Sequence, residues 1–301
     1  MSTPVTVDTR SDLPVSPPRP SGAELTWRTL GLGTMASLLV VSLGRLGSQS
    51  FLGECQWPRF HPLNERMATV RHHPLIVVES TRQLAVALER HHLPAAAAAP
   101  LEAVSVSLGT HPRSQPTERG DATDVVARVS VTDQVVHGGV LTGYRVTAEY
   151  QFRGTPFATC TIRFARPPAP DPAWPDDAPR PALLHPSPAA VGAAAEPDVM
   201  LARAPQGRLV VVPRDPGHPV LLAGRPARLP APAVLEAGRQ AALLTSGMTA
   251  GAVVGLRADL LAPVPARGAL IEVAAQSGGC RFVVMAAGRP AATGLVTLLT
   301  S

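Results

Sequence analysis

The chain has 301 residues, of which 45% are hydrophobic and 4% aromatic, and it carries a formal net charge of +5 at pH 7. That length admits one large domain or two of ordinary size, and so few aromatics leave little on which nucleic-acid bases could stack. All 27 basic residues are Arg, scattered singly, which argues against a nucleic-acid patch and leaves an acidic protein or a phosphorylated compound as the partner the charge would suit.

Residues 1–23 are polar and Pro-rich and read as a disordered tail. The apolar run "LGLGTMASLLVVSLG" that follows is shorter than the roughly 20 residues a membrane span needs, so it reads as soluble core with no membrane partner. "LLVVSLG" and "FLGECQW" suit short strands. After a loop containing His61-Pro62, "VVESTRQLAVAL" (77–88) has the length and apolar content of a helix. The β-branched, alternating runs "EAVSVSL", "VVARVSV", "GYRVTAEYQF" and "FATCTIRF" then predict antiparallel strands. Residues 166–198 are dense in proline and read as a linker. Beyond it the order repeats: "RLVVV", the helix "AVLEAGRQAALL" (233–244), then "GLRADLL", "ALIEVAA", "CRFVVMAAG" and "AATGLVTLL". One helix followed by several strands, twice, predicts an α+β layout of two domains, 24–165 and 199–301.

The repeat is exact in register over its first part. His61, Pro62, Arg71, Glu79, Arg82, Gln83 and Ala85 recur as His218, Pro219, Arg228, Glu236, Arg239, Gln240 and Ala242, each 157 residues on. Near the end of each half the offset is 134, relating Gly154, Pro156, Ala158 and Thr159 to Gly288, Pro290, Ala292 and Thr293. The first half therefore holds extra residues, expected at "THPRSQPTERGDATD". Cys55, Cys160 and Cys280 form no Cys-x-x-Cys pair, which argues against a disulfide framework or a zinc site and suits a reducing cytoplasm.

Each helix carries Glu-x-x-Arg-Gln, and positions i and i+3 share a helix face. Glu79 with Arg82, and Glu236 with Arg239, therefore project together from apolar surroundings. They make either an ion pair holding the halves together or a site, in which a partly desolvated carboxylate serves as base and a guanidinium grips phosphate. Gln83 and Gln240 suit hydrogen bonding at the interface. No Gly-x-Ser-x-Gly elbow or phosphate-cradling Gly loop is present.

The His-Pro loop followed by a Glu-x-x-Arg-Gln helix, written twice in "QWPRFHPL", "HHPLIVVESTRQLA", "PGHPVLL" and "LPAPAVLEAGRQAA", resembles the A-factor biosynthesis (AfsA-type) hotdog family. The second copy also resembles β-hydroxyacyl carrier-protein dehydratases, with His218 and Glu236 in the positions of their catalytic pair. The resemblance implies a tandem (double) hotdog, two antiparallel sheets each wrapping a central helix. It also implies a cytoplasmic acyltransferase of secondary metabolism, moving a β-ketoacyl group from acyl carrier protein to a hydroxyl of dihydroxyacetone phosphate for γ-butyrolactone signalling. Glu79, Arg82, Glu236 and Arg239 would be catalytic; His61, Gln83, His218 and Gln240 would bind substrate. By analogy His61 would face Glu236 and His218 would face Glu79. No metal or redox cofactor is implied, since the carrier protein delivers its own phosphopantetheine. The alternatives are a hotdog acyl-carrier-protein dehydratase or thioesterase, or a non-catalytic acyl-carrier or acyl-ligand binding protein.

Overall fold

The computed structural model describes residues 23–64, 70–95, 100–118, 120–166, 183–248 and 253–299. The first half contributes β1 (Ala23–Glu24), β2 (Val40–Arg45), β3 (Ser50–Pro58), β4 (Val70–Arg71), α1 (Pro74–His91), β5 (Glu102–Thr110), β6 (Thr117–Glu118), β7 (Ala122–His137), β8 (Val140–Phe152) and β9 (Thr155–Ala165). The second contributes α2 (Pro188–Val191), β10 (Leu201–Arg203), β11 (Leu209–Val211), α3 (Ala231–Ser246), β12 (Val253–Leu260), β13 (Ala269–Gln276), β14 (Gly279–Ala286) and β15 (Arg289–Leu298). The strand runs expected from sequence are all strands. The apolar run 30–44 supplies a 3-10 turn at Met35–Ser37 and most of β2. No helix among the described residues is long and apolar enough to cross a membrane.

Thirteen strands form one antiparallel sheet in the order β1-β2-β3-β7-β8-β9-β5-β12-β15-β14-β13-β11-β10. Read from the centre outward, β5-β9-β8-β7-β3-β2 mirrors β12-β15-β14-β13-β11-β10, so the duplication seen in the residues is a duplication of topology. This corrects the expectation of two sheets. Ser105 to Gly109 of β5 pair with Gly255 to Asp259 of β12, and Ser105 Oγ donates to Asp259 Oδ1 at 2.6 Å. Each half would otherwise end in a row of unpaired N–H and C=O groups, and the two rows satisfy one another. The surplus of the first half is shared among several places. Part lies in the loop after β5, and part in a longer hairpin, since β7 and β8 have 16 and 13 residues against 8 each in β13 and β14.

α1 packs on β2, β3, β5, β8 and β9, and α3 on β5 and β10–β15, while the two helices also touch each other. Both are buried on most sides, which explains their high apolar content. Phe282 of β14 crosses α3 so closely that a Cβ on Gly238 would lie 2.3 Å from its ring. Glycine, poor in helices, is there for that approach.

The 166–198 linker needs correction as well. Residues 167–182 lie outside the described residues, but 183–198 are built into the fold. Leu184 bridges Arg203, Val191 is fully buried, and α2 packs on α3. Proline suits the first position of a helix, where no N–H is needed, and Pro188 occupies that position in α2. The tail 1–23 lies outside the described residues apart from Ala23, which pairs with Leu43.

Candidate functional site

The two Glu-x-x-Arg-Gln motifs make the same construction. On α1, Arg82 donates Nε and Nη2 to the two oxygens of Glu79, both at 2.7 Å, and Gln83 Nε2 donates to Glu79 Oε1 at 3.0 Å. On α3, Arg239 donates to Glu236 at 2.8 and 2.6 Å, and Gln240 Nε2 donates to Oε1 at 2.7 Å. The glutamines also fix the chain entering each half. Gln83 donates to Ser37 O and accepts from Leu39 N; Gln240 donates to Asp198 O and accepts from Met200 N. Ser37 and Asp198 each end a 3-10 turn, Met35–Ser37 and Glu196–Asp198, so they are counterparts although their residue types differ.

The surroundings of the pairs differ. Arg239 is 0% exposed, and its Nη2 also donates to Gly192 O at 2.8 Å. It is a buried strut with no surface to offer a phosphate. The Arg82 side chain is 32% exposed, and its charge is held firmly by Glu79.

Across the seam, His73 places Nε2 3.6 Å from Glu236 Oε2. His73 is the N-cap of α1, with Nδ1 accepting from Leu75 N at 3.3 Å. A neutral ring held this way carries its proton on Nε2. Burial, with Arg239 and His218 nearby and only partly countered by Glu236 and Asp198, pushes the His73 pKa down to about 4, so the ring is neutral at pH 7. For the Glu236 carboxyl, burial acts upward, but Arg239, His73 and the hydrogen bonds from Arg239 and Gln240 more than offset it and hold the group below its ordinary value. The separation of 3.6 Å is too long for a hydrogen bond, which leaves part of Oε2 unspent and facing an N–H donor. An apolar crevice reaches His73, walled by Trp57, Pro74, Val77 and Phe157 and by Gln115 and Pro116 of the loop after β5.

The expected cross-pairings, His61 with Glu236 and His218 with Glu79, are replaced by this one. His218 Nε2 instead donates to Asp198 Oδ1 at 2.9 Å. His61 is 2% exposed, with Nδ1 accepting from Leu63 N and Nε2 meeting no hydrogen-bond partner among the described residues. The residue sequence reasoning missed is His73. Its counterpart 157 residues on is Pro230, so a search confined to repeated residues passes over it. The available signal was a polar side chain directly before Pro74 at a helix start. No group of three or more His, Cys, Asp or Glu able to hold a metal ion occurs among the described residues.

A large antiparallel sheet with a long helix packed on it in each repeat is the layout of a hotdog fold. Residues 24–166 match the family model for the A-factor biosynthesis hotdog domain. No curated protein matches the chain. Among solved structures, the chain is similar to the dehydratase domain from the terminal module of the rifamycin polyketide synthase, with 14% identity over 89% of this chain and 98% of that one and a TM-score of 0.47. A proposed thioesterase from Novosphingobium aromaticivorans is 15% identical over 86% and 98% of the two chains, with a TM-score of 0.46. HtdX from Mycobacterium tuberculosis is 16% identical over 92% and 97%, with a TM-score of 0.41.

Proposed function

We propose that the protein is an acyltransferase that moves an acyl group, a β-ketoacyl group in the first instance, from the phosphopantetheine thioester of an acyl carrier protein to a hydroxyl of a small acceptor. The observation that carries this reading is the His73–Glu236 pair at the seam between the repeats. The acceptor hydroxyl gives its proton to the unspent side of Glu236 Oε2 as its oxygen attacks the thioester carbonyl. A C–O bond forms and the C–S bond breaks; the departing thiolate takes the proton from Glu236. The neutral Nε2–H of His73 donates to the negative oxygen that develops on the carbonyl carbon. Arg239 keeps Glu236 ionised and oriented, and Gln240 fixes it to the strap before β10.

Dihydroxyacetone phosphate is the acceptor that the A-factor domain family suggests. Arg82, half-buried, is the motif guanidinium with surface to offer a phosphate, but it stands nine residues along α1 from His73, about 13 Å at helical rise, farther than a three-carbon acceptor spans, so the phosphate of an acceptor whose hydroxyl meets Glu236 is not held by Arg82. The burial of Arg239 favours a second reading, a hotdog dehydratase or thioesterase using the same two residues and needing no phosphate grip. Both readings place the protein in the cytoplasm with carrier-bound substrates. Incubating the purified protein with β-ketoacyl carrier protein, with and without dihydroxyacetone phosphate, and weighing the products separates them. Acyl transfer to the phosphate ester supports the first reading, while enoyl product or free acid regardless of acceptor replaces it with the second.

A further inference from the structure

The chain that enters α1 is held by one buried side chain, Asn64, which is 4% exposed. Its Oδ1 accepts from His73 N at 3.0 Å. Its Nδ2 is shared among Pro58 O at 3.2 Å, Arg59 O at 3.3 Å and His72 Nδ1 at 3.0 Å. Only one orientation of the carboxamide meets an N–H on one side and two carbonyls on the other. With Nδ1 of His72 accepting, the His72 proton sits on Nε2 and is donated to Thr123 Oγ1 at 2.6 Å. Asn64 thereby ties the cap of α1 to the end of β3 and, through His72, to β7.

The second repeat shows that the fold does not need this clamp. The 157-residue offset relates Asn64, His72 and His73 to Leu221, Leu229 and Pro230. Both leucines are buried, and Pro230 caps α3 with no N–H to satisfy. His73 does have an N–H outside the helix ladder, and Ile76, where a capping-box Glu or Gln would reach back, is apolar. A proline would have served the first helix as it serves the second. Asparagine and histidine instead occur together, in the repeat whose cap faces Glu236 at 3.6 Å, and are absent together from the other. We propose that Asn64 is a positioning residue: its carboxamide holds the His73 backbone so that the Nε2–H points at the oxygen developing on the acyl carbonyl. It acts through His73 and takes no proton itself. The role rests on the acyl-transfer reading above and adds to it the group that aims the donor.

The test is a double-mutant cycle on the full chain, reading turnover of β-ketoacyl carrier protein with dihydroxyacetone phosphate per folded molecule. Asn64→Ala should lower kcat by roughly ten- to a hundredfold, the scale of a misplaced group, and leave KM near its wild-type value. His73→Asn, which keeps the cap and the N–H that Asn64 binds, should lower kcat by about a hundredfold or more. In the double variant Asn64→Ala should add almost nothing, since the donor it aims is already gone. A merely structural clamp predicts losses that multiply, because His73→Asn leaves the bonds of Asn64 in place. Multiplied losses, or wild-type kcat in Asn64→Ala, overturn the assignment and leave the acyl-transfer reading intact. Should Asn64→Ala unfold, Asn64→Leu, the residue of the second repeat, takes its place in the cycle. A chain that unfolds with either residue makes Asn64 a structural clamp and overturns the assignment too. Full turnover in His73→Asn, or none in the wild type, overturns both the assignment and the mechanism it serves.

Discussion

His73 and Glu236 come from opposite repeats, and the Nε2 of one lies 3.6 Å from the Oε2 of the other. Neither repeat contains the pair. α1 supplies the imidazole because His73 caps its first turn, and α3 supplies the carboxylate from its second turn. The reciprocal arrangement would need a histidine at position 230, which is Pro230. Among the described residues, duplication thus built two carboxylate–guanidinium struts but one histidine–carboxylate pair that faces across the two repeats.

Glu236→Gln should accordingly lower turnover by roughly a hundredfold or more, the scale of general-base removal, and Glu79→Gln should lower it far less. His73→Asn gives a cleaner companion, because asparagine still caps a helix while the imidazole is gone. Acyl transfer measured per folded molecule, with folded fraction from circular dichroism, decides the matter. Equal losses at Glu79 and Glu236 would contradict the asymmetry.

Much of this was readable in the residues. The doubled Glu-x-x-Arg-Gln, the strand runs and the 157-residue offset located both helices and both struts, because identical spacing on a 3.6-residue period forces identical local geometry. Three things were not readable. The β5–β12 pairing joins residues about 150 apart through backbone groups, which leave no side-chain pattern. The prolines after 183 read as a linker, although Pro188 starts a helix. His73 was hidden because its importance lies in what its repeat partner lacks.

The two arginines should separate in a stability experiment. Arg239→Met leaves Glu236 buried, ionised and without its bidentate partner, a change that typically costs about 3–5 kcal/mol. Arg82→Met also leaves a buried carboxylate, Glu79, but the guanidinium it removes is 32% exposed, so water can enter the space it leaves and the cost should be clearly smaller. Urea unfolding midpoints for the two variants should therefore differ widely, with Arg239→Met the weaker protein. Equal midpoints would mean that the second strut is not dry.

Gly238 offers a test of packing that propensity alone would forecast wrongly. Alanine in place of a mid-helix glycine ordinarily stabilises by up to about 1 kcal/mol. Here the new methyl would lie 2.3 Å from Phe282, and overpacking of that kind costs about 1–3 kcal/mol. Gly238→Ala should lower the melting temperature. Phe282→Leu in the same chain should recover part of the loss by vacating the ring volume, and additive losses in the double variant would disprove the steric account.

Buried neutral histidines make stability fall with acid before any carboxylate titrates. His61 and His73 have pKa values of about 3 and about 4 in the fold, against an ordinary 6.5. Below pH 6.5 the unfolded chain binds protons that the folded chain refuses, so stability is highest above 6.5 and declines as the pH drops toward 4. At 1.36 kcal/mol per pH unit, the two rings can withdraw on the order of 3–5 kcal/mol each over their full ranges. Glu236 acts in the same sense lower down, since its folded pKa is depressed below 4.5 and its contribution disappears as the pH falls through that depressed value. The urea midpoint should decline steadily between pH 7 and pH 5, a window in which ordinary Asp and Glu scarcely titrate. His73→Asn should make the decline shallower, because one of the two refused protons no longer has a site in the unfolded chain. A midpoint that stays level from pH 7 to pH 5 in the wild type would mean that both imidazoles are solvated and able to charge, and it would remove the neutral His73 Nε2–H donor on which the site as described depends.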